Sequence, residues 1–258
     1  MHLRAPDESI EHSVEAVERY VEVAAERGID EIGFTEHVYY FRQTKALWVV
    51  DLEPELDRVA KPLGVDDCVD VRLEVVLAAL ELVRDRPPAA PRRGEMDEIL
   101  EPYPWDYLLG SLHFVDGQGI DGDPSLVEAV GPATAWTRYY EWLVDASAYF
   151  DVLAHPDLVK MYGPELEWDW GGLAASLGGA CLEVSSAGLH KPHGKLYPNP
   201  SLLAAAKKNG IQITTASDAH VPQNVGRDLD RAIEHARSAG YDTVTVFAGR
   251  DARQEPLG

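Results

Sequence analysis

Ile211-Gln212-Ile213-Thr214-Thr215-Ala216-Ser217-Asp218-Ala219-His220 carries the pattern on which the fold turns. Isoleucine and threonine at its centre are strand residues, and a carboxylate and an imidazole close the stretch. The same form recurs upstream. Ile29 to Thr35 reads as a short strand leading into Glu36-His37, Tyr107 to Leu112 leads into His113, and Asp151 to Ala154 leads into His155. Ala180 to Ser185 reads as another strand, and Thr243 to Phe247 as the last.

Helical stretches separate these strands. Ser9 to Arg27 places Ile10, Val14, Val17, Val21 and Ala24 at helical spacing, with Gly28 as C-cap. Ala135 to Phe150, Leu173 to Leu177, Ser201 to Lys208 (closed by Gly210) and Asp228 to Ala239 read as helices, and Val71 to Leu82 as a helix running into a strand. This alternation predicts an α/β fold, with a parallel sheet or an α/β barrel. Arg84 to Arg93 is a Pro/Arg-rich exposed connection. No composition break divides the chain, so residues 1–258 are expected to form a single domain.

In parallel α/β architectures the C-terminal strand ends share one face, and that face holds the active site. His37, His113, His155 and His220 each follow a predicted strand, and Asp7, Glu36 and Asp218 accompany them. Imidazoles with carboxylates are a ligand set for Zn, Mn or Fe. His12 and His235 extend the polar faces of helices and read as solvated. His190 and His193 lie in Gly188 to Lys195 with two lysines, which reads equally as a connecting loop or as a cationic patch suited to phosphate.

Composition narrows the partners. Asp plus Glu number 44 against 23 Lys plus Arg, a formal charge of −21. Such a surface repels nucleic-acid backbones and anionic lipid, so neither is expected as a partner. With 45% hydrophobic residues the chain supports a packed core. Two cysteines, Cys68 and Cys181, make no disulfide framework, and the N-terminus lacks the apolar segment of a signal peptide. A cytoplasmic protein is expected.

Several segments together resemble the polymerase-and-histidinol-phosphatase (PHP) metallophosphoesterases: His2-Leu3-Arg4-Ala5-Pro6-Asp7, Gly33-Phe34-Thr35-Glu36-His37, Gly110-Ser111-Leu112-His113-Phe114 with Ala154-His155-Pro156, and Ser217-Asp218-Ala219-His220. Pro102 to Tyr107, Leu182 to Gly188 and Tyr197 to Pro200 resemble the histidinol-phosphate phosphatase branch of that family. The resemblance implies a distorted seven-stranded (β/α) barrel with up to three divalent ions, drawn from Zn, Mn or Fe. It implies one ion on His2, Asp218 and a bridging glutamate, a second on that glutamate with His113 and His155, and a third on Asp7, His37 and His220. The implied reaction is hydrolysis of a small-molecule phosphate monoester, L-histidinol phosphate, in histidine biosynthesis. Asp218 or His220 would pass a proton to the leaving oxygen. His190, Lys191 and Arg227 would hold the phosphate oxygens; Glu183 or Glu36 would attract the substrate ammonium, unless the acidic balance serves solubility alone, which is the more ordinary role of such charge.

The chain departs from the family pattern twice. The family opens with His-x-His, whereas here Met1 takes the middle position and only His2 remains. A late start codon or a truncated gene would produce this, and impaired activity is one expectation. The bridging glutamate is Glu81 in Leu80-Glu81-Leu82 or Glu74 in Leu73-Glu74-Val75, with Glu81 nearer the expected place before Pro102. Two other outcomes remain open: a phosphoesterase of broad specificity, and a metal-poor PHP-like protein without catalysis.

Overall fold

In the computed structural model the strand that leads to Asp218 spans Ile213–Ala216 and lies at one edge of a parallel sheet. The structure describes residues 3, 13–37, 77–81, 101, 104–115, 118–120, 128, 130–162 and 164–258, with the backbone alone at 36, 37, 77–81, 114, 115, 118 and 119. The sequence readings at His2, Asp7, His12, Cys68, Glu74 and the Arg84 to Arg93 loop lie outside the described residues.

Among the described residues, the strands are β1 (Thr35–His37), β2 (Leu77–Glu81), β3 (Leu108–Ser111), β4 (Phe114–Val115), β5 (Gln118–Gly119), β6 (Val152–Leu153), β7 (Cys181–Ser185), β8 (Ile213–Ala216), β9 (Thr243–Ala248) and β10 (Asp251–Pro256). Six of them form a sheet in the order β1-β2-β3-β6-β7-β8, every pair parallel. The spatial order follows the chain order, without the reversal that marks a doubly wound sheet. Every residue of β3 and of β7 is buried, so these strands carry no apolar–polar alternation to read.

The helices form where their ends are capped and one face is apolar. In α1 (Val14–Glu26) the Ser13 hydroxyl accepts from the Ala16 amide at 3.0 Å, and Ala16, Tyr20 and Ala24 share the buried face. Helix α2 (Pro132–Ser147) opens on a proline and buries Trp136, Tyr139, Tyr140 and Leu143 against Leu153 and Leu182 of the sheet. Asp169 caps α3 (Trp170–Ser176), accepting from the Gly172 amide at 2.9 Å, and Asn199 caps α4 (Pro200–Lys208), accepting from Ser201 at 2.8 Å. Helix α5 (Leu229–Ser238) packs Ala232 and Ala236 into a cluster with Val184, Leu203 and Ile213. Gly110 is required at the centre of β3 because a Cβ there would stand 2.3 Å from the Phe150 ring.

Two sequence readings change. The strand read over Ile29 to Thr35 begins only at Thr35, because Ile29, Ile32 and Phe34 pack against α1 instead of pairing in a ladder. The strand read at the end of Val71 to Leu82 is present as β2 over Leu77–Glu81, and residues 71–76 lie outside the described residues. Thr243 to Phe247 is not the last strand: β9 turns at Gly249 and Arg250, both at positive φ, and returns antiparallel as β10. All six β10 residues are exposed, so no apolar pattern announced it. No described helix is long and apolar enough to cross a membrane.

Candidate functional site

A cavity of about 770 Å³ runs along the parallel strands and takes in their carboxyl ends. Thr35 of the first strand and Thr214 to Ala216 of the last both line it, so the sheet curls around it. His113, His155, Glu183, Asp218 and His220 share the same wall.

Strand geometry delivers these side chains. The register pairs Leu109 with Val152, and Val152 in turn with Cys181, so the chain leaves β3 and β6 side by side. His113 and His155 follow those ends with ring centroids 5.1 Å apart and planes at 83°. His155 and Asp218 both adopt the left-handed backbone region, at φ 27° and 49°, which L-residues enter only where the surroundings hold them. At His155 the restraint is visible. Its carbonyl accepts from the Leu158 amide at 3.0 Å and from the Tyr139 hydroxyl at 3.3 Å, and its own amide donates to Glu183 Oε1 at 3.2 Å.

Glu183 projects from the middle of β7 and is 5% exposed. Burial first, and the nearby Asp218 charge second, push its carboxyl up to about 7, against the pull of the His155 amide. At Asp218 the carbonyl oxygen accepts from His220 Nδ1 at 2.9 Å, which places that imidazole's lone pair on Nε2. Imidazole nitrogens and acidic carboxylates facing one polar cavity are the donor chemistry that suits a divalent ion of the Zn, Mn or Fe type. Among the described residues no three His, Cys, Asp or Glu side chains close around one point. The set read from the sequence draws also on His2 and Asp7, which are not described, and on His37 and Glu81, described by backbone alone. The backbone register places Glu81 at the end of β2 opposite Ser111.

The residues read as phosphate holders lie on neighbouring loops. His190 ends a 3-10 turn, Ala187–His190, and its Nε2 meets Asp228 Oδ2 at 2.7 Å. Lys191 beside it is exposed, and the Arg227 carbonyl accepts from the Ser186 hydroxyl at 2.5 Å. None of the three belongs to the cavity wall among the described residues. His235, read as solvated, is partly buried, with Nε2 2.8 Å from the Pro198 carbonyl.

His193 is committed to internal bonds. Its Nδ1 accepts from the Lys195 amide at 3.0 Å, so Nε2 carries the proton and donates to the Tyr197 hydroxyl at 2.9 Å. Burial, then the Lys160 and Lys195 charges, pull its pKa down to about 4 from 6.5. The folded protein therefore binds this proton less readily than the unfolded chain. The resulting stability is complete above 6.5 and is lost as pH falls through about 4. With solvent screening at this half-open site, the loss is about 1 kcal/mol. His193→Gln is expected to flatten the fall of the thermal midpoint across that window. An unchanged slope contradicts the assignment.

Sequence reading did not find the ion pair of Asp157 and Lys160, which are 0% and 3% exposed and 2.8 Å apart. A lysine in Leu158-Val159-Lys160-Met161, an otherwise apolar run, was its signal.

The model for the PHP domain matches residues 1–184, and the model for the PHP-associated region matches residues 198–228. A probable histidinol-phosphatase of Deinococcus radiodurans is 31% identical over 243 residues, covering 91% of each chain. The histidinol-phosphatase of Lactococcus lactis is 21% identical, covering 92% of this chain and 90% of the relative. In fold, the chain is similar to a crystal structure of histidinol phosphate phosphatase from Lactococcus lactis, complexed with zinc, L-histidinol and phosphate. The TM-score is 0.64 at 18% identity, covering 92% of both chains. With a family model running through most of its length and a relative matched nearly end to end, this chain belongs to the PHP-domain family.

Proposed function

We propose that the protein hydrolyses L-histidinol phosphate to L-histidinol and phosphate, in histidine biosynthesis, at a centre of up to three divalent ions of Zn, Mn or Fe. The observation that carries the reading is the meeting of His113 and His155 at adjacent strand ends in a polar cavity shared with Glu183 and Asp218. Sustained likeness to proteins named as histidinol-phosphatases gives the substrate. We assign one ion to His2, Asp218 and Glu81, a second to Glu81, His113 and His155, and a third to Asp7, His37 and His220. Residues 1–258 act as one domain, a distorted seven-stranded (β/α) barrel. The unreversed strand order and the cavity shared by first and last strands support that architecture. A cytoplasmic location agrees with the buried free thiol of Cys181.

Divalent ions, when bound, supply Lewis acidity: they neutralise charge on the phosphoryl oxygens and lower the pKa of water towards neutrality. The protein's own residues do the rest. The His155 backbone is held by its bonds to Tyr139, Leu158 and Glu183, so the main chain that presents the imidazole needs little reorganisation on binding. His220 presents Nε2 to the cavity because Nδ1 is occupied by the Asp218 carbonyl. Asp218 or His220 takes the proton given up by the attacking water and passes it to the leaving oxygen. Glu183 at the cavity wall receives the substrate ammonium, and we assign the non-reacting phosphate oxygens to His190, Lys191 and Arg227, on loops beside the cavity.

Phosphate release by the metal-loaded protein tests this reading. L-Histidinol phosphate is expected to turn over at least about a hundredfold faster, in kcat/KM, than p-nitrophenyl phosphate, about 2.7 kcal/mol of transition-state discrimination. Equal rates establish a phosphoesterase of broad specificity. No turnover, together with fewer than two tightly bound ions, establishes a PHP-like protein without catalysis.

A further inference from the structure

Behind the wall that carries His155 lies a buried charged cluster with no part in the reaction as described. Lys160 Nζ donates to Asp157 Oδ2 at 2.8 Å and to the Leu196 carbonyl at 2.7 Å, and stands 4.8 Å from the centre of the Tyr197 ring. Asp157 Oδ2 also accepts from the Asn199 amide at 2.6 Å. One ion pair thus ties the turn leaving β6 to the segment 196–199. The Tyr197 ring beside the ammonium also lies 5.9 Å from the His155 ring, centre to centre, with the two planes at 56°. Backbone pairing of Ser185 with Tyr197, in both directions, fastens the same segment to the end of β7, the strand that carries Glu183. The packing leaves no slack: a Cβ on Gly188 would stand 2.1 Å from the Lys195 carbonyl and 2.9 Å from the Tyr197 ring.

A buried ion pair is a poor source of stability, because desolvation of two charges offsets their attraction. The same pair is well suited to fix an arrangement, since its partners admit one geometry in a dry interior. We propose that Asp157 and Lys160 are positioning residues, which set the direction of the His155 imidazole towards the ion it holds by bracing Tyr197 against it. The inference rests on the reading of His155 as a metal ligand. Groups behind a ligand that orient it change metal affinity by about 10–100-fold when removed.

The test measures Zn(II) affinity of the full-length protein by competition with a chromophoric chelator, below the thermal midpoint of each variant. Lys160→Met is expected to weaken Zn(II) binding about 10–100-fold and to lower the midpoint, because Asp157 is left charged and unpaired. Asp157→Asn with Lys160→Met removes both charges, so the midpoint recovers while affinity stays at least tenfold down, Tyr197 having lost its support. Affinity in this double variant within threefold of wild type overturns the proposal, since affinity would then follow stability alone. If Lys160→Met fails to fold, the double variant decides by itself. His155→Ala separates the two readings: if it leaves affinity unchanged, the ligand assignment fails, and if it weakens binding while the double variant does not, only the positioning role fails.

Discussion

Asp218→Asn is expected to lower kcat/KM for L-histidinol phosphate by about 10²–10³-fold or more, with the fold left standing. Asp218 sits at φ 49°, a conformation that asparagine adopts more readily than most residues. The backbone carbonyl that accepts from His220 is unchanged by the substitution, so the imidazole keeps its tautomer. The side chain is 21% exposed, and its loss opens no cavity. What disappears is one negative charge at the wall of the cavity, facing Glu183. A ligand and proton carrier is thereby replaced by a neutral amide of the same shape. Thermal unfolding in the absence of metal is expected to move by less than about 0.5 kcal/mol, in the range of substitutions outside the core. His113→Ala belongs with it, because the ring is partly exposed at the cavity wall while the core of the sheet lies beneath it. Phosphate-release kinetics and a melting curve together check the pair. Activity within tenfold of wild type in either variant contradicts the site.

How much of this was legible in the sequence differs by element. The strands before His113, His155 and Asp218 were legible because strand residues run directly into a ligand-type residue, and β3, β6 and β8 occur where that pattern predicts. Helices with caps and one apolar face were legible, as at α1, which Ser13 caps and whose buried Ala16, Tyr20 and Ala24 follow helical spacing. β10 was not legible. Asp251-Ala252-Arg253-Gln254-Glu255-Pro256 has no apolar face; the turn at Gly249-Arg250 with its bonds to Asp106, the ladder to β9, and the ion pairs of Arg250 with Asp151 and Arg253 with Glu31 hold the hairpin in place. At the site, the proximity of His113 and His155 follows from parallel strands in chain order, which periodicity can suggest. The restraint on His155 could not be read that way. It depends on Tyr139 from α2, Glu183 from β7 and Lys160 through Tyr197, contacts between segments distant along the chain. Local pattern predicts which residues reach a face; only packing determines how firmly each is held there.

Removing divalent ions with a chelator is expected to cost the protein both its turnover and a measurable part of its stability. Ions that bind the folded chain and not the unfolded one add about 3 kcal/mol when present at roughly 100 times their dissociation constant. For a chain of this size that corresponds to a fall of about 6–12 °C in the thermal midpoint on stripping. The sign follows from the charges in the cavity. Burial first, and the Asp218 charge second, disfavour the charged Glu183 carboxylate there, and a cation between the donors offsets both in the folded state alone. Re-adding Zn, Mn or Fe singly should restore the midpoint, and the ion that also restores turnover is the working one. Asp218→Asn should show a smaller chelator-induced fall than wild type, because it lacks part of the donor set that couples ion to fold. A midpoint indifferent to chelator in the wild-type protein would mean that the donors at the strand ends hold no ion, and the catalytic assignment would fall with them.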